Sequence, residues 1–278
     1  MRGQSRFQFS SIMLIVGLLF LYLPLFILVF YSFNASRLVT VWAGFSTQWY
    51  VALLDDEQLM GAVWMSLRIA FYNASMAVVL GTMAAYIMAR FGAFRGKTAF
   101  NGMITAPLVM PDVITGLSLL LLFVSLAEWF GWPAERGMST IWIAHVTFST
   151  AYVAVVVGAR LKELDTSIEE AALDLGATPL KAFFYITIPS IAPALMAGWL
   201  LAFTLSLDDL VIASFVSGPG STTLPMVIFS SVRLGVSPKI NALATVIILL
   251  VSLATLIGWW LMRKAERERK EALRFANE

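Results

Sequence analysis

An all-α membrane protein with six transmembrane helices is the fold class this sequence predicts, on three observations. Of 278 residues, 59% are hydrophobic and only 13% charged, roughly half the charged share of a soluble domain. The mean hydropathy is +0.83, and the apolar residues gather in runs that reach the roughly 20 residues a helix needs to cross a bilayer. None of these runs alternates polar with apolar, which excludes a barrel and leaves helices as the way to satisfy the backbone in lipid. The chain has no cysteine, so disulfides and thiolate metal sites are ruled out.

The six spans are read at residues 11–33, 62–89, 100–126, 140–159, 194–216 and 242–262. The first follows Arg2 and Arg6 as a signal peptide would. It is too long for a signal core and ends without a small-x-small cleavage site, so it is expected to stay as a span. The second carries Arg68 near its outer end, where a long side chain reaches back to the interface. The third has Pro111 and Asp112 midway, and the fourth holds His145, the single histidine. From Ala182 to Val216 the chain is apolar apart from Asp208 and Asp209, too long a run for one crossing. Pro189 and Pro193 each remove a backbone donor and crowd the preceding turn. They suggest a helix at the membrane surface over 182–191 and a fifth span starting near Ala194. Gly218-Pro219-Gly220 signals a turn in an outer loop at 217–239, and no fixed-period repeat is visible. The organisation read from this is an N-terminal tail, first helix and outer loop at 1–61, a five-helix core at 62–262, and a mixed-charge tail at 263–278.

Lys and Arg orient the spans. One set of connecting segments holds Arg2 and Arg6, then Arg90, Arg95 and Lys97, then Arg160, Lys162 and Lys181, and six more in the C-terminal tail, 14 in all. The alternate set holds only Arg37, Arg136, Arg233 and Lys239. Both termini are therefore expected in the cytoplasm, together with the charged island between the fourth and fifth spans.

That island carries the strongest motif. Ser167 is placed to cap a short helix, with Glu170 reaching back as its capping-box partner. Gly176 suits the left-handed position that ends a helix. Thr178 then caps a second helix opened by Pro179, where proline is favoured. The pattern fits any well-capped helical hairpin. It also fits a rigid exposed knob that presents Leu173, Leu175 and Leu180 to a partner. A second segment, Gly92-Ala93-Phe94-Arg95-Gly96-Lys97-Thr98, comes close to a phosphate-binding loop. It has one residue too few between its glycines and no strand before it. It reads as a basic turn, and no nucleotide site is expected in this chain.

Asp112, Asp208 and Asp209 lie in apolar surroundings, where a carboxylate is costly unless it faces protein or water. Two readings stand. They line a substrate pathway, or they serve the backbone, with Asp112 capping a helix restarted after Pro111 and the aspartate pair bonding exposed backbone groups. His145 has no neighbouring ligands and makes a poor metal site, so it reads as a hydrogen-bonded packing residue. Trp42, Trp49, Trp129 and Trp132 fall near the outer interface, as an aromatic belt does.

The island reads Glu170-Ala171-Ala172, three residues, Gly176, nine residues, Ile186, one residue, Ile188-Pro189. This resembles the EAA loop of permease subunits of ATP-driven importers of the ABC class, with Ile188 where that family more often has Leu. Further segments are similar to one branch, the polyamine (putrescine/spermidine) importer permeases, and most like the second permease of a putrescine importer. They are Tyr31-Ser32-Phe33-Asn34, the segment from Ala106-Pro107-Leu108 through Pro111-Asp112 to Gly116, and Ser206-Leu207-Asp208-Asp209-Leu210 with Gly218-Pro219-Gly220 and Leu224-Pro225. Asp112 stands where the family often has Glu.

The resemblance implies a type I ABC importer permease fold with a cytoplasmic coupling helix in a bacterial inner membrane. Glu170, Ala171, Ala172, Leu173, Gly176 and Pro179 would then form the ATPase-coupling segment, with Asp112, Asp208 and Asp209 as substrate-pathway candidates. It implies a heterodimer with a homologous permease, two ATPase subunits that bind ATP and Mg, and a periplasmic polyamine-binding protein. No catalytic residue, metal, cofactor or nucleic acid is expected for this chain. Two alternatives are weighed against this reading. An ion-coupled secondary transporter using the three aspartates would work alone and leaves the charged knob unexplained. A non-transporting membrane scaffold leaves the aspartates unexplained.

Overall fold

The computed structural model describes residues 2–38, 41–234 and 237–275. Its helices are α1 (Arg2–Tyr31), α2 (Gln48–Leu54), α3 (Glu57–Arg90), α4 (Lys97–Val109), α5 (Asp112–Phe130), α6 (Met138–Glu163), α7 (Ser167–Asp174) and α8 (Pro179–Ala182). After a π-helical turn at Phe183–Thr187 follow α9 (Ile188–Asp208), α10 (Val211–Val216), α11 (Leu224–Leu234) and α12 (Pro238–Phe275). Among the described residues six helical segments are long and apolar enough to cross a membrane: Ser11–Tyr31, Glu57–Arg90, Asp112–Phe130, Met138–Glu163, Pro179–Asp208 and Pro238–Ile257.

Three sequence expectations change. The third span does not begin near residue 100. Met110 is extended, as a residue before proline tends to be, so α4 ends at Val109 and α5 restarts at Asp112 after Pro111. Asp112 thus opens a helix instead of lying midway along one. The fifth span does not begin near Ala194, because the prolines fail to break it. Helix runs from Pro179 to Asp208. Within it the Ile188 amide bonds back to the Phe183 carbonyl across the wider π-helical turn. That turn holds the carbonyl four residues before Pro189, so Pro189 withdraws its donor where the ordinary pattern is already suspended. The helix instead breaks at Asp209, which is extended, and α10 follows as a separate piece. Finally, the outer loop at 217–239 contains α11.

The chain divides into two compact units, 1–57 with 230–278, and 58–229. In the first, α12 packs against α1 and α2, and Lys239 Nζ lies 2.9 Å from Asp56 Oδ2. The segment after α1 is organised by Asn34. Its side-chain Nδ2 donates to the Val41 carbonyl at 2.7 Å, and its side-chain oxygen accepts from the Ala43 amide at 2.9 Å. Trp49 Nε1 donates to the Asn34 carbonyl at 2.6 Å, and Trp42 stacks on Phe30 with ring centroids 4.6 Å apart. The spanning part of α1, Ser11–Tyr31, is strongly apolar and its window has no buried residue, as suits contact with lipid.

In the second unit α6 is central and packs against α4, α5, α9 and α10. One apolar cluster joins Ile69, Leu119, Phe123, Ile141, Phe148 and Ile212; another joins Ala74, Ala77, Val153, Val157, Ile191 and Ala202. Small residues let helices approach closely where lipid offers no hydrophobic drive between them. A Cβ on Gly81 of α3 would stand 2.7 Å from the Val153 Cβ, and one on Gly198 of α9 3.3 Å from a Val153 methyl. Asn73, fully buried on α3, ties the same three helices, donating to the Ser149 hydroxyl at 3.0 Å and the Ala202 carbonyl at 2.8 Å.

Candidate functional site

Two places carry the predicted site residues. The first is the connection from α6 to α9. Helix α7 begins at Ser167, so Ser167 does not cap it and the expected box with Glu170 does not form. The Asp165 carboxylate takes that place, accepting from the Ser167 amide at 3.0 Å. Hydrogen bonds from the Ser167 amide and hydroxyl hold its carboxyl below the ordinary value. An aspartate outcompetes a serine here because a full negative charge meets the free N–H groups of the first turn.

Helix α7 ends as expected, with Gly176 at φ +85°. The Gly176 amide bonds to the Leu173 carbonyl and the Ala177 amide to the Ala172 carbonyl, at 2.9 and 3.0 Å. These two bonds form the paired closure that a left-handed glycine permits. Thr178 caps α8, accepting from the Lys181 amide at 3.4 Å, with Pro179 as first residue. Glu170, Ala171, Leu173 and Pro179 are exposed and Ala172 partly buried. Leu175 is 90% and Leu180 71% exposed. The result is a stiff, capped hairpin with apolar side chains turned outward.

Sequence reasoning missed its anchor. Glu169, next to the motif, accepts from Arg90 Nη2 at 3.1 Å and from the Thr187 hydroxyl at 2.9 Å. Arg90 Nε lies 3.0 Å from its second oxygen. No local spacing announces this contact, because Arg90 closes α3, far upstream. The basic turn at 92–98 uses its lysine internally, with Lys97 Nζ donating to the carbonyls of Phe91 and Gly92 at 2.9 and 3.1 Å.

The second place is a cavity of about 310 Å³, lined by Asp112 and Thr115 of α5, Phe148 and Tyr152 of α6, and Asp208 and Asp209 at the break after α9. The structure thus brings all three predicted aspartates to one cavity, in two different situations. Asp112 and Asp208 are exposed. Asp209 is drawn back: its side chain is 8% exposed, and one oxygen lies 3.2 Å from Nε2 of the fully buried His145. It also accepts from the amides of Ile212 and Ala213, at 3.3 and 2.7 Å, so it holds the first turn of α10. His145 Nδ1 pairs with the Ser206 hydroxyl at 2.7 Å. The arrangement suits Nε2–H donating to Asp209 while Nδ1 accepts from Ser206. Arg68 does not line this cavity and covers the Trp64 ring, 4.9 Å from its centroid. Among the described residues no three His, Cys, Asp or Glu side chains gather as a metal site.

The two places are thus an outward hairpin between two spans and a cavity lined by carboxylates. Residues 77–271 match the family described as binding-protein-dependent transport system inner membrane component. The chain belongs to this family. It is therefore a multi-pass inner-membrane permease subunit of an ABC transporter. It is 67% identical over 264 residues to the putrescine transport system permease protein PotI of Escherichia coli (strain K12), covering 95% of this chain and 94% of that one. To the spermidine/putrescine transport system permease protein PotC of Haemophilus influenzae it is 40% identical over 260 residues, covering 94% of this chain and 98% of that one. The fold is that of type I importer permeases. A bacterial ABC transporter involved in import of the acidic polysaccharide alginate superposes with a TM-score of 0.73 at 17% identity, over 95% of this chain and 98% of that chain. An amino acid ABC transporter gives 0.52 at 22% identity, over 77% and 98%.

Proposed function

We propose that this permease conducts polyamines, putrescine or spermidine, inward across a bacterial inner membrane. It does so as one of two homologous permease subunits, with two ATPase subunits that hold ATP and Mg and a periplasmic binding protein that delivers the cation. The observation that carries the substrate is the 67% identity to a putrescine permease across nearly the whole chain. The distribution of Lys and Arg supports cytoplasmic termini and a cytoplasmic α7–α8 hairpin.

The working parts divide accordingly. Glu170, Ala171, Ala172, Leu173, Gly176 and Pro179 build the hairpin that docks on an ATPase subunit, with Leu175 and Leu180 as its apolar contact. Asp112 and Asp208 offer carboxylates to a passing ammonium group, and Phe148 and Tyr152 offer ring faces, which attract cations. Exposed, separated anionic points bind a cation loosely enough to release it again. Asp209 lines the same cavity, but its carboxylate is engaged by His145 and α10, so it shapes the path at Asp208 more than it meets the substrate.

The test is reconstitution in proteoliposomes. Labelled putrescine uptake is expected only with the second permease, the ATPases, the binding protein and ATP present, and the chain alone should neither transport nor hydrolyse ATP. Uptake by the chain alone, driven by an ion gradient, would replace this reading with the secondary transporter.

A further inference from the structure

The anchor of the hairpin is not one of its motif residues. Helix α7 buries no side chain of its own, so apolar packing does not hold it. Glu169 does. Its side chain is 16% exposed and that of Arg90 12%, and Thr187, its second partner, is 1% exposed. An ion pair in water contributes little. One that is mostly withdrawn from water, with Nη2 hydrogen-bonded to one carboxylate oxygen and Nε 3.0 Å from the other, is stronger and fixes geometry. Cutting one side of it leaves the other charge half-buried and unpaired.

The two partners sit on different spans. Arg90 is the last residue of α3, and Thr187 closes the π-helical turn that leads into α9. A π-helical turn is a local widening that often marks a functional joint. Without the tie, a push on α7 passes first through α8 and that softer turn, reaching α9 along the chain and α3 through the edge-to-face contact of Phe183 with Tyr86, 4.8 Å between centroids. With the tie, one carboxylate hands the displacement to α3 and to the start of α9 together. Those two helices are also joined deeper in the unit, where Asn73 bonds to the Ala202 carbonyl.

We propose that Glu169 is a positioning residue that couples α7 to α3 as well as to α9, so that ATPase-driven movement of the hairpin shifts both spans as one. The inference rests on the reading that the hairpin docks on an ATPase subunit. In the full reconstituted complex the measurements are ATPase co-purification and substrate transported per ATP hydrolysed. Glu169→Gln and Arg90→Gln should each keep the ATPase bound and hydrolysing while transport per ATP falls about fivefold or more. The double variant should lose no more than either single one, since residues acting through one contact are not additive. Arg90→Lys keeps the charge without the planar guanidinium and should fall between; it reads the same ratio should the glutamine variants fail to assemble. Because the natural chain has no cysteine, Arg90→Cys with Glu169→Cys permits a direct rescue: transport per ATP should rise on joining the two thiols with a short bifunctional reagent. A wild-type ratio in Glu169→Gln, additive losses in the double variant, or a cross-link without effect on the ratio would overturn the proposal. Absence of the ATPase from the wild-type complex would instead overturn the docking reading.

Discussion

The α7–α8 hairpin and the aspartate cavity stand at opposite extremes of how a sequence encodes a site. The hairpin is built from neighbours. The Asp165 cap, the Gly176 closure and the Thr178–Pro179 opening lie within fifteen residues of one another, and each is a bond between groups a few positions apart. The cavity is built from strangers, with Asp112, Phe148 and Asp208 coming from three helices. The hairpin turns leucines outward, while the cavity keeps carboxylates within reach of water. One is specified by backbone geometry, the other by what surrounds a charge.

Substitutions sharpen that contrast, beginning with the largest effect. Gly176→Pro attacks the hairpin where it is least tolerant. Proline cannot adopt φ +85° and removes the amide that bonds to Leu173, a local cost on the order of 3 kcal/mol or more. Uptake should drop to background while the protein stays inserted in the membrane fraction; normal uptake would mean that the hairpin's shape is irrelevant to coupling.

In the cavity, Asp209→Ala should act on stability. It strips His145 and two amides of their acceptor, and leaving buried donors unpaired costs about 1–3 kcal/mol. Purified complex should unfold at a lower temperature, and little assembled protein should accumulate. Full stability with reduced uptake would move Asp209 into the substrate path alongside its neighbour. Asp112→Asn with Asp208→Asn should do the reverse: assembly unchanged, uptake per assembled complex down roughly tenfold, about 1.4 kcal/mol. Unaltered uptake per complex would remove both from the pathway. The smallest effect is expected of Gly198→Ala, whose new methyl meets Val153 at 3.3 Å. A shift of a few tenths of an ångström accommodates it, for about 1 kcal/mol or less. A much larger loss of thermal stability would show that α6 and α9 cannot part even that far.

Legibility followed the same division. The left-handed glycine, the threonine cap and proline start were readable because each needs a residue type at a fixed local offset. Ser167 was misread because two candidate caps compete within three positions, and the stronger acceptor, Asp165, prevails. The prolines illustrate the converse. Pro111 does end a helix, with Met110 extended before it, whereas Pro189 does not, because a π-helical turn absorbs its missing donor, and Pro193 is carried within α9. Identical chemistry gave opposite outcomes, and only neighbouring geometry distinguishes them. The Glu169–Arg90–Thr187 tie was unreadable: a half-buried ion pair between residues 79 apart leaves no trace in spacing or composition.

By itself the sequence determined the membrane class, six crossings, the charge bias of their connections and the capped hairpin. These depend on apolar run length, on the cost of exposing backbone to lipid, and on hydrogen bonds between near neighbours. The tertiary structure alone decided which aspartates stand exposed at the cavity and which is claimed by a histidine, and which glutamate ties the hairpin to two spans. Those assignments turn on desolvation and on partners brought in from distant positions, and both come into existence only when the helices pack.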